Sequence, residues 1–276
     1  MLRVVQTFTG KTASNSDAGD LNDFLRDVLV EVAGENYRQT MYEAMTLTTA
    51  NKSAIKYDLD PPLRANERVM SGLFATAISK VALRSRTEAR IDRPERDESY
   101  AALKDQLEDK GASKTRNGRV DYLAWHASRV IGIELKMASM NCKKPTVRAF
   151  IEKKWNSVVN QSKSVQNCLR ARNKDDKGRY PNPISLALMV VVGRRSINRN
   201  NFEKENNGIQ AMEDDALNVL ASLDPKPTFR AIYTFPTEFR ALSPRRKGKE
   251  DPGNEQIMYT PFVLFIAKHA VNSTAK

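Results

Sequence analysis

The stretch Ile184-Ser185-Leu186-Ala187-Leu188-Met189-Val190-Val191-Val192, closed by Gly193, is apolar at almost every consecutive position over the length of a strand. Alternation would mark a strand wet on one side. Continuity marks one buried on both, so this segment belongs in the middle of a sheet with cover on each face. It is also the longest apolar run in the chain, and Leu186 to Val192 falls far short of the roughly 18 residues that span a bilayer. No transmembrane helix is expected. The N-terminus, Met1-Leu2-Arg3-Val4-Val5-Gln6-Thr7, turns polar too soon for a secretory segment, so the expected setting is the cytoplasm.

The flanking patterns supply the rest of the layers. Leu21, Phe24, Leu25, Val28, Leu29 and Val32 recur at helical spacing within 21–44, with Gly34 as a point where that helix could break. After the start signal Pro61-Pro62, the stripe Leu63, Val69, Met70, Leu73, Phe74, Ala77, Ile78 and Val81 predicts a helix over 64–81. Alternation at Leu83, Ser85, Thr87, Ala89 and Ile91 predicts a strand over 82–92, and 98–110 reads as a short polar helix or loop. Strands over 119–125 and 130–137, joined by a turn at 126–129, form a hairpin. A long helix over 147–172 carries Ile151, Trp155, Val158, Val165 and Leu169 on one face. Two more strands, 229–235 and 258–268, flank a charged loop at 243–253. The order implies an α/β class, a layered sheet with helices on its faces. No repeat or linker divides the chain, so one domain is expected, with 1–60 as a helical extension packed on a core of 61–276.

Charge points to the ligand. The chain of 276 residues carries 45 Lys plus Arg against 33 Asp plus Glu, a net charge of +12. A surplus of that size attracts polyanions, and with no anchor or basic amphipathic helix it favours nucleic acid over a membrane surface. The two cysteines, Cys142 and Cys168, form no CxxC pair, and His126 and His269 are isolated. A zinc site is not expected; buried, inert thiols are the expectation, with a thiol nucleophile activated by His126 or His269 as the minor alternative.

Chemistry concentrates in the hairpin. Along its second strand Ile131, Ile133, Leu135 and Met137 point one way, while Gly132, Glu134 and Lys136 point the other. A turn centred between Ala127 and Ser128 sets Asp121 opposite Glu134, with Cβ atoms about 4.5 to 5.5 Å apart. Two carboxylates opposed on a pleat repel, and a divalent ion of the Mg²⁺ kind offsets them with one or two carboxylates, waters and substrate phosphate. Lys136, one step along the same face, adds a cation beside the charge developing on a phosphodiester. Gly132 leaves room for a backbone or phosphate to approach.

Asp121, followed on the next strand by Glu134-Leu135-Lys136, resembles the PD-(D/E)XK nuclease superfamily. The resemblance covers roughly 64–192 and departs at Val120, which stands where the motif has proline. It implies a restriction-endonuclease-like fold, a mixed β-sheet flanked by helices, here with an added N-terminal helical layer. It also implies Mg²⁺-dependent cleavage of DNA, with Mn²⁺ able to substitute, by an endonuclease of the restriction, antiviral defence or recombination type. On this pattern Asp121, Glu134, the Leu135 carbonyl and Glu67 would hold metal. Lys136 would orient water and stabilise charge, and Gln161, on the buried stripe of the following helix, would assist. Glu108-Asp109-Lys110 and Glu152-Lys153-Lys154 also fit E-x-K, but neither lies on a strand beside an opposed aspartate.

Lys143, Lys144, Lys153, Lys154, Arg194 and Arg195 are the expected nucleic-acid contacts, with Arg170, Arg172 and Arg245-Arg246-Lys247 as further candidates. The expected partner is double-stranded DNA, bound by a homodimer or within a complex with another protein. Trp125 and Trp155 read as core residues. Two rival readings stand beside the nuclease: a binding or assembly protein of the same fold that does not cut, and an RNA-directed nuclease. A cross-strand salt bridge on a solvated face is the plain alternative for the hairpin charges.

Overall fold

In the computed structural model, the described residues are 1–8, 15–50, 61–64, 66–92, 117–175, 179–244 and 256–270. The segment 98–110, the cluster Arg245-Arg246-Lys247 and most of the loop 243–253 lie outside them.

The strands are β1 (Leu2–Gln6), β2 (Arg84–Asp92), β3 (Asn117–His126), β4 (Arg129–Met140), β5 (Ile184–Asn198), β6 (Phe229–Thr234), β7 (Ala241–Pro244) and β8 (Gln256–His269). Seven of them lie side by side as β1-β6-β8-β5-β4-β3-β2, and β7 pairs separately with β8. β4 and β5 run parallel, whereas the other pairings are antiparallel, so this is a mixed sheet in an α/β fold. β5 sits where its composition puts it. Leu186, Leu188, Val190 and Val192 pack with helices α1 (Asn15–Ala50) and α2 (Glu67–Val81) on one face. Ala187, Met189 and Val191 pack with α3 (Ala149–Asp175) and a small C-terminal helix on the other.

α1 runs unbroken through Gly34, because the stripe Leu21, Phe24, Leu25, Val28, Leu29 and Val32 is at most 2% exposed and its burial outweighs the roughly 1 kcal/mol that a helical glycine costs. α2 begins at Glu67 rather than at Arg64. Pro62–Arg64 form a 3₁₀ turn, and the Asn66 side chain then caps the helix by accepting the Val69 N–H at 3.1 Å. That cap places Glu67 in the first turn, at the end of α2 nearest β4.

Two parts of the fold go beyond the sequence reading. β1 pairs antiparallel with β6, so the N-terminal segment, expected as a helical extension, also contributes an edge strand to the main sheet. The C-terminal half contains α4 (Phe202–Asn206) and α5 (Ile209–Ala221); α5 buries the stripe Ile209, Ala216, Leu217 and Leu220, the last three in the core on the α3 face of the sheet. The buried Glu213 interrupts that stripe. It accepts from Thr234 Oγ1 at 2.5 Å and pairs with Arg3 at 3.2 Å, tying α5 to β6 and β1.

Gly132 is a packing residue. A Cβ there would lie 2.7 Å from Val165 Cγ1 and 3.1 Å from Leu169 Cδ1, so α3 occupies the space that the sequence suggested for a phosphate. Among the described residues no helix is long and apolar enough to cross a membrane.

Candidate active site

The hairpin register follows from its turn. Ala127 and Ser128 form a two-residue connection with Ala127 at φ 49°, and the pairs His126 with Arg129 through Tyr122 with Ile133 follow in unbroken succession. This is the expected register, but the ladder ends one pair short of Asp121 and Glu134. Val120 packs with Val165 and Leu169 of α3, whereas Tyr122 packs with the α1 and α2 core on the opposite face. In a regular strand residues two apart share a face, so the pleat of β3 changes sense at Asp121. The neighbouring strand is irregular at the same level. β2 pairs Thr87 with Tyr122 and Ala89 with Val120, and between them Glu88 stands at φ 46°. Asp121 is therefore not a ladder partner of Glu134. Its carboxylate turns to the edge of β4 and accepts the Leu135 N–H at 2.8 Å.

Beyond Ile133, β4 is paired on its β5 side only, and the N–H groups of Leu135 and Met137 face the departing β3. Both are satisfied by carboxylates from other elements: Asp121 takes Leu135, and Glu67 Oε2 takes Met137 at 3.2 Å. Lys136 Nζ lies 3.5 Å from Glu67 Oε1, with both side chains partly exposed. A second ammonium reaches the same stretch from α3, where Lys154 Nζ donates to the Met137 carbonyl at 2.6 Å. Tyr122 stands among these groups. Its hydroxyl donates to the Ser71 carbonyl at 2.9 Å, and burial above all, followed by the charges of Asp121 and Glu67, holds the phenol well above its usual pKa.

Glu134 is 3% exposed and shares the α3 face of β4 with Gly132 and Ala138. Burying a carboxylate carries a large desolvation cost, which only a counter-charge or several hydrogen bonds offset. Val165 touches the Gly132 position and Lys154 reaches Met137, so Gln161, between them on α3, falls at the level of Glu134 to Lys136. Its Oε1 is a buried acceptor with no hydrogen-bond partner among the described residues.

Among the described residues no three His, Cys, Asp or Glu side chains gather closely enough to ligate one ion. The oxygens available are those of Asp121, Glu134, Glu67 and the Leu135 carbonyl. That set suits an ion such as Mg²⁺, which keeps several waters and needs only one or two carboxylates, and the orphaned Gln161 oxygen is an acceptor for such a water. A thiol nucleophile does not fit: Cys142 and Cys168 are both buried, and burial pushes the Cys142 thiol up to about 12. Both tryptophans serve packing. Trp155 is fully buried and donates to the Pro225 carbonyl at 2.7 Å, and Trp125 donates to the Arg179 carbonyl at 3.3 Å.

The expected basic contacts separate once the partners are known. Lys143, Lys144, Lys153 and Arg194 are exposed, with Arg194 Nη2 donating to Ser139 Oγ at 3.2 Å. Lys154 is drawn to the Met137 carbonyl, and Arg195 is bound by Glu205 on α4, which also lies 3.6 Å from Lys143 Nζ. Arg194 and Arg195, with Arg148, Ser139 and Asn141, line a cleft of about 420 Å³ beyond the carboxyl end of β4. Open α/β sheets bind ligands at the carboxyl ends of their parallel strands. Arg148, the residue before α3, and Glu205, which neutralises Arg195, are the members that sequence reasoning missed. Neither carries a local signal, since a single charge beside a helix start is ordinary. Compared with protein-family models, curated proteins and solved structures, the chain matches none.

Proposed function

We propose that this protein is a metal-dependent nuclease of restriction-endonuclease-like fold that hydrolyses phosphodiester bonds in double-stranded DNA. The observation that carries the reading is the edge of β4, where carboxylates from β3 and α2 take the N–H groups on either side of Lys136. Asp121 and Glu134, with the Leu135 carbonyl, would hold Mg²⁺, and Glu67 would tune the site from the start of α2. The ion supplies Lewis-acid polarisation of the phosphate and a more acidic bound water.

The protein's own groups complete the chemistry. Asp121, Glu67 and Tyr122 fix the strand edge from two elements, so Lys136 emerges at a defined place beside the carboxylates. Its ammonium balances the negative charge that develops on the phosphoryl oxygens. The Gln161 oxygen accepts a hydrogen from the attacking water and orients it. Arg148, Arg194 and Lys144 hold neighbouring phosphates by charge and reach, independent of base identity.

The Glu67–Lys136 ion pair favours a second reading, a protein that binds nucleic acid without cutting it, because the pair occupies both groups without any ligand. Incubation with supercoiled plasmid, linear duplex, single-stranded DNA and RNA, in Mg²⁺, Mn²⁺ or EDTA, separates the two. The nuclease gives metal-dependent products that disappear in Glu134→Ala and Lys136→Ala. Salt-sensitive binding with no product under any of these conditions selects the second reading, and products from RNA alone would replace the substrate.

A further inference from the structure

The β2 side of the sheet carries another basic cleft, on the far side of β3 from β4. Among the described residues β2 is the outermost strand there. Its Ser85, Arg86 and Thr87, together with Arg172 of α3 and the following Arg179 and Tyr180, enclose about 550 Å³. The arginines are ordered by aromatic rings. Arg172 Nη1 donates to Tyr180 Oη at 3.3 Å, and the guanidinium carbons of Arg172 and Arg179 stand 5.9 and 5.8 Å from the Tyr180 centroid. Tyr180 packs on Trp125 at 6.4 Å, and Arg84 stands 5.1 Å from the Trp125 ring. Three guanidinium groups, those of Arg84, Arg172 and Arg179, are thus gathered along two rings, and Arg86 joins Arg172 and Arg179 in lining the cleft. Among the described residues no carboxylate forms an ion pair with Arg84, Arg86 or Arg179.

Like charges brought together repel, and a carboxylate neighbour is the ordinary remedy. Arg179, stacked on Tyr180, and Arg86 beside it stand without that remedy among the described residues, which is the arrangement that takes an oxyanion bidentately. The hydroxyls of Ser85 and Thr87 add donors, and the volume admits a nucleotide-sized group. Position narrows the ligand. Leu123, which also lines the cleft, is two residues from Asp121 on β3, roughly 7 Å along the strand.

We infer that this cleft binds the phosphodiester backbone of the nucleic-acid strand beyond the point of cleavage, an inference that rests on reading the protein as one acting on nucleic acid. Arg86 and Arg179 grip phosphate oxygens, while Tyr180 and Trp125 hold the neighbouring guanidinium groups in place. The contact is sequence-independent, and it lies on the opposite flank of the β4 site from the Arg148 and Arg194 cleft.

The test is anisotropy of a labelled duplex oligonucleotide in EDTA, titrated with salt, for wild type, Arg86→Ala/Arg179→Ala and the charge-matched control Arg26→Ala/Lys226→Ala. All four substituted side chains are exposed, so the variants should fold. The expected result is a fall of about 2 in the log–log salt slope, near 0.9 per phosphate lost, with weaker binding to unrelated sequences alike and no such fall in the control. An unchanged slope overturns the inference, as does an equal fall in the control or a wild type that binds no duplex. Competition by a nucleoside monophosphate as effective as the oligonucleotide would also overturn it, by making the cleft a mononucleotide pocket. Because binding is read without metal, this result is independent of cleavage. A protein that cuts with an unchanged slope sinks this inference alone, and one that binds as expected but never cuts sinks the nuclease alone.

Discussion

The Asp121 carboxylate and the Leu135 N–H are joined at 2.8 Å at the point where β3 leaves β4, so a side chain continues a hydrogen-bond ladder that the backbone has ended. The same carboxylate is then both a structural acceptor and a candidate metal ligand. Asp121→Asn keeps an acceptor and loses the charge, whereas Asp121→Ala loses both. Cleavage should vanish in both variants. In urea unfolding, Asp121→Asn should stay near wild type, and Asp121→Ala should lose about 1–3 kcal/mol for the orphaned donor. Equal stability of the two variants would sever the structural role from the catalytic one.

Glu67 and Lys136 should matter far more to activity than to stability. Their ion pair is 3.5 Å long and partly exposed, a class worth about 0–1 kcal/mol. Lys136→Ala is expected to leave the unfolding midpoint almost unmoved while cleavage of plasmid falls below detection. Full activity in that variant would count heavily against the assignment.

Gly132→Ala should destabilise by about 1–3 kcal/mol, since the new methyl group would press on the Val165 Cγ1 position at 2.7 Å and a β-branched neighbour yields little. Val165→Ala should relieve part of that loss in the double variant. Additive losses in the resulting double-mutant cycle would show that α3 does not set the clearance at this position.

Acid stability should depend on Glu35, which bridges α1 and α2. Hydrogen bonds from Arg38 first, then Gln39, hold its carboxyl down at about 2, with Lys80 3.6 Å away. A carboxyl depressed in the folded state stabilises above its unfolded value of about 4.3 and loses that contribution as pH falls toward about 2. Thermal unfolding followed between pH 6 and pH 2 should show wild type losing more stability than Glu35→Gln. Parallel curves would remove Glu35 from the acid response.

Much of this architecture is local and was legible in residue order. A two-residue turn sets the hairpin register because backbone geometry leaves no other pairing, and the run from Leu186 to Val192 calls for burial on both faces because every side chain is apolar. The α1 and α2 stripes follow the 3.6-residue period in the same way. β1 escaped because an edge strand of five residues has too few side chains to show a pattern, and α5 because Glu213 breaks its apolar stripe.

The site itself is a matter of partners far apart in the chain. Glu67 reaches the Met137 N–H across 70 positions, Arg195 is neutralised by Glu205 on a short helix, and Leu169 and Val165 fill the space beside Gly132. Periodicity says which face of an element is apolar, and turn length says which residues pair. Neither says how one element is placed against another, and the change of pleat at Asp121 arises where β2, β3 and β4 meet. Residue types and register are written along the chain, whereas the meeting of carboxylate, ammonium and strand edge depends on the packing of whole layers, which no local pattern encodes.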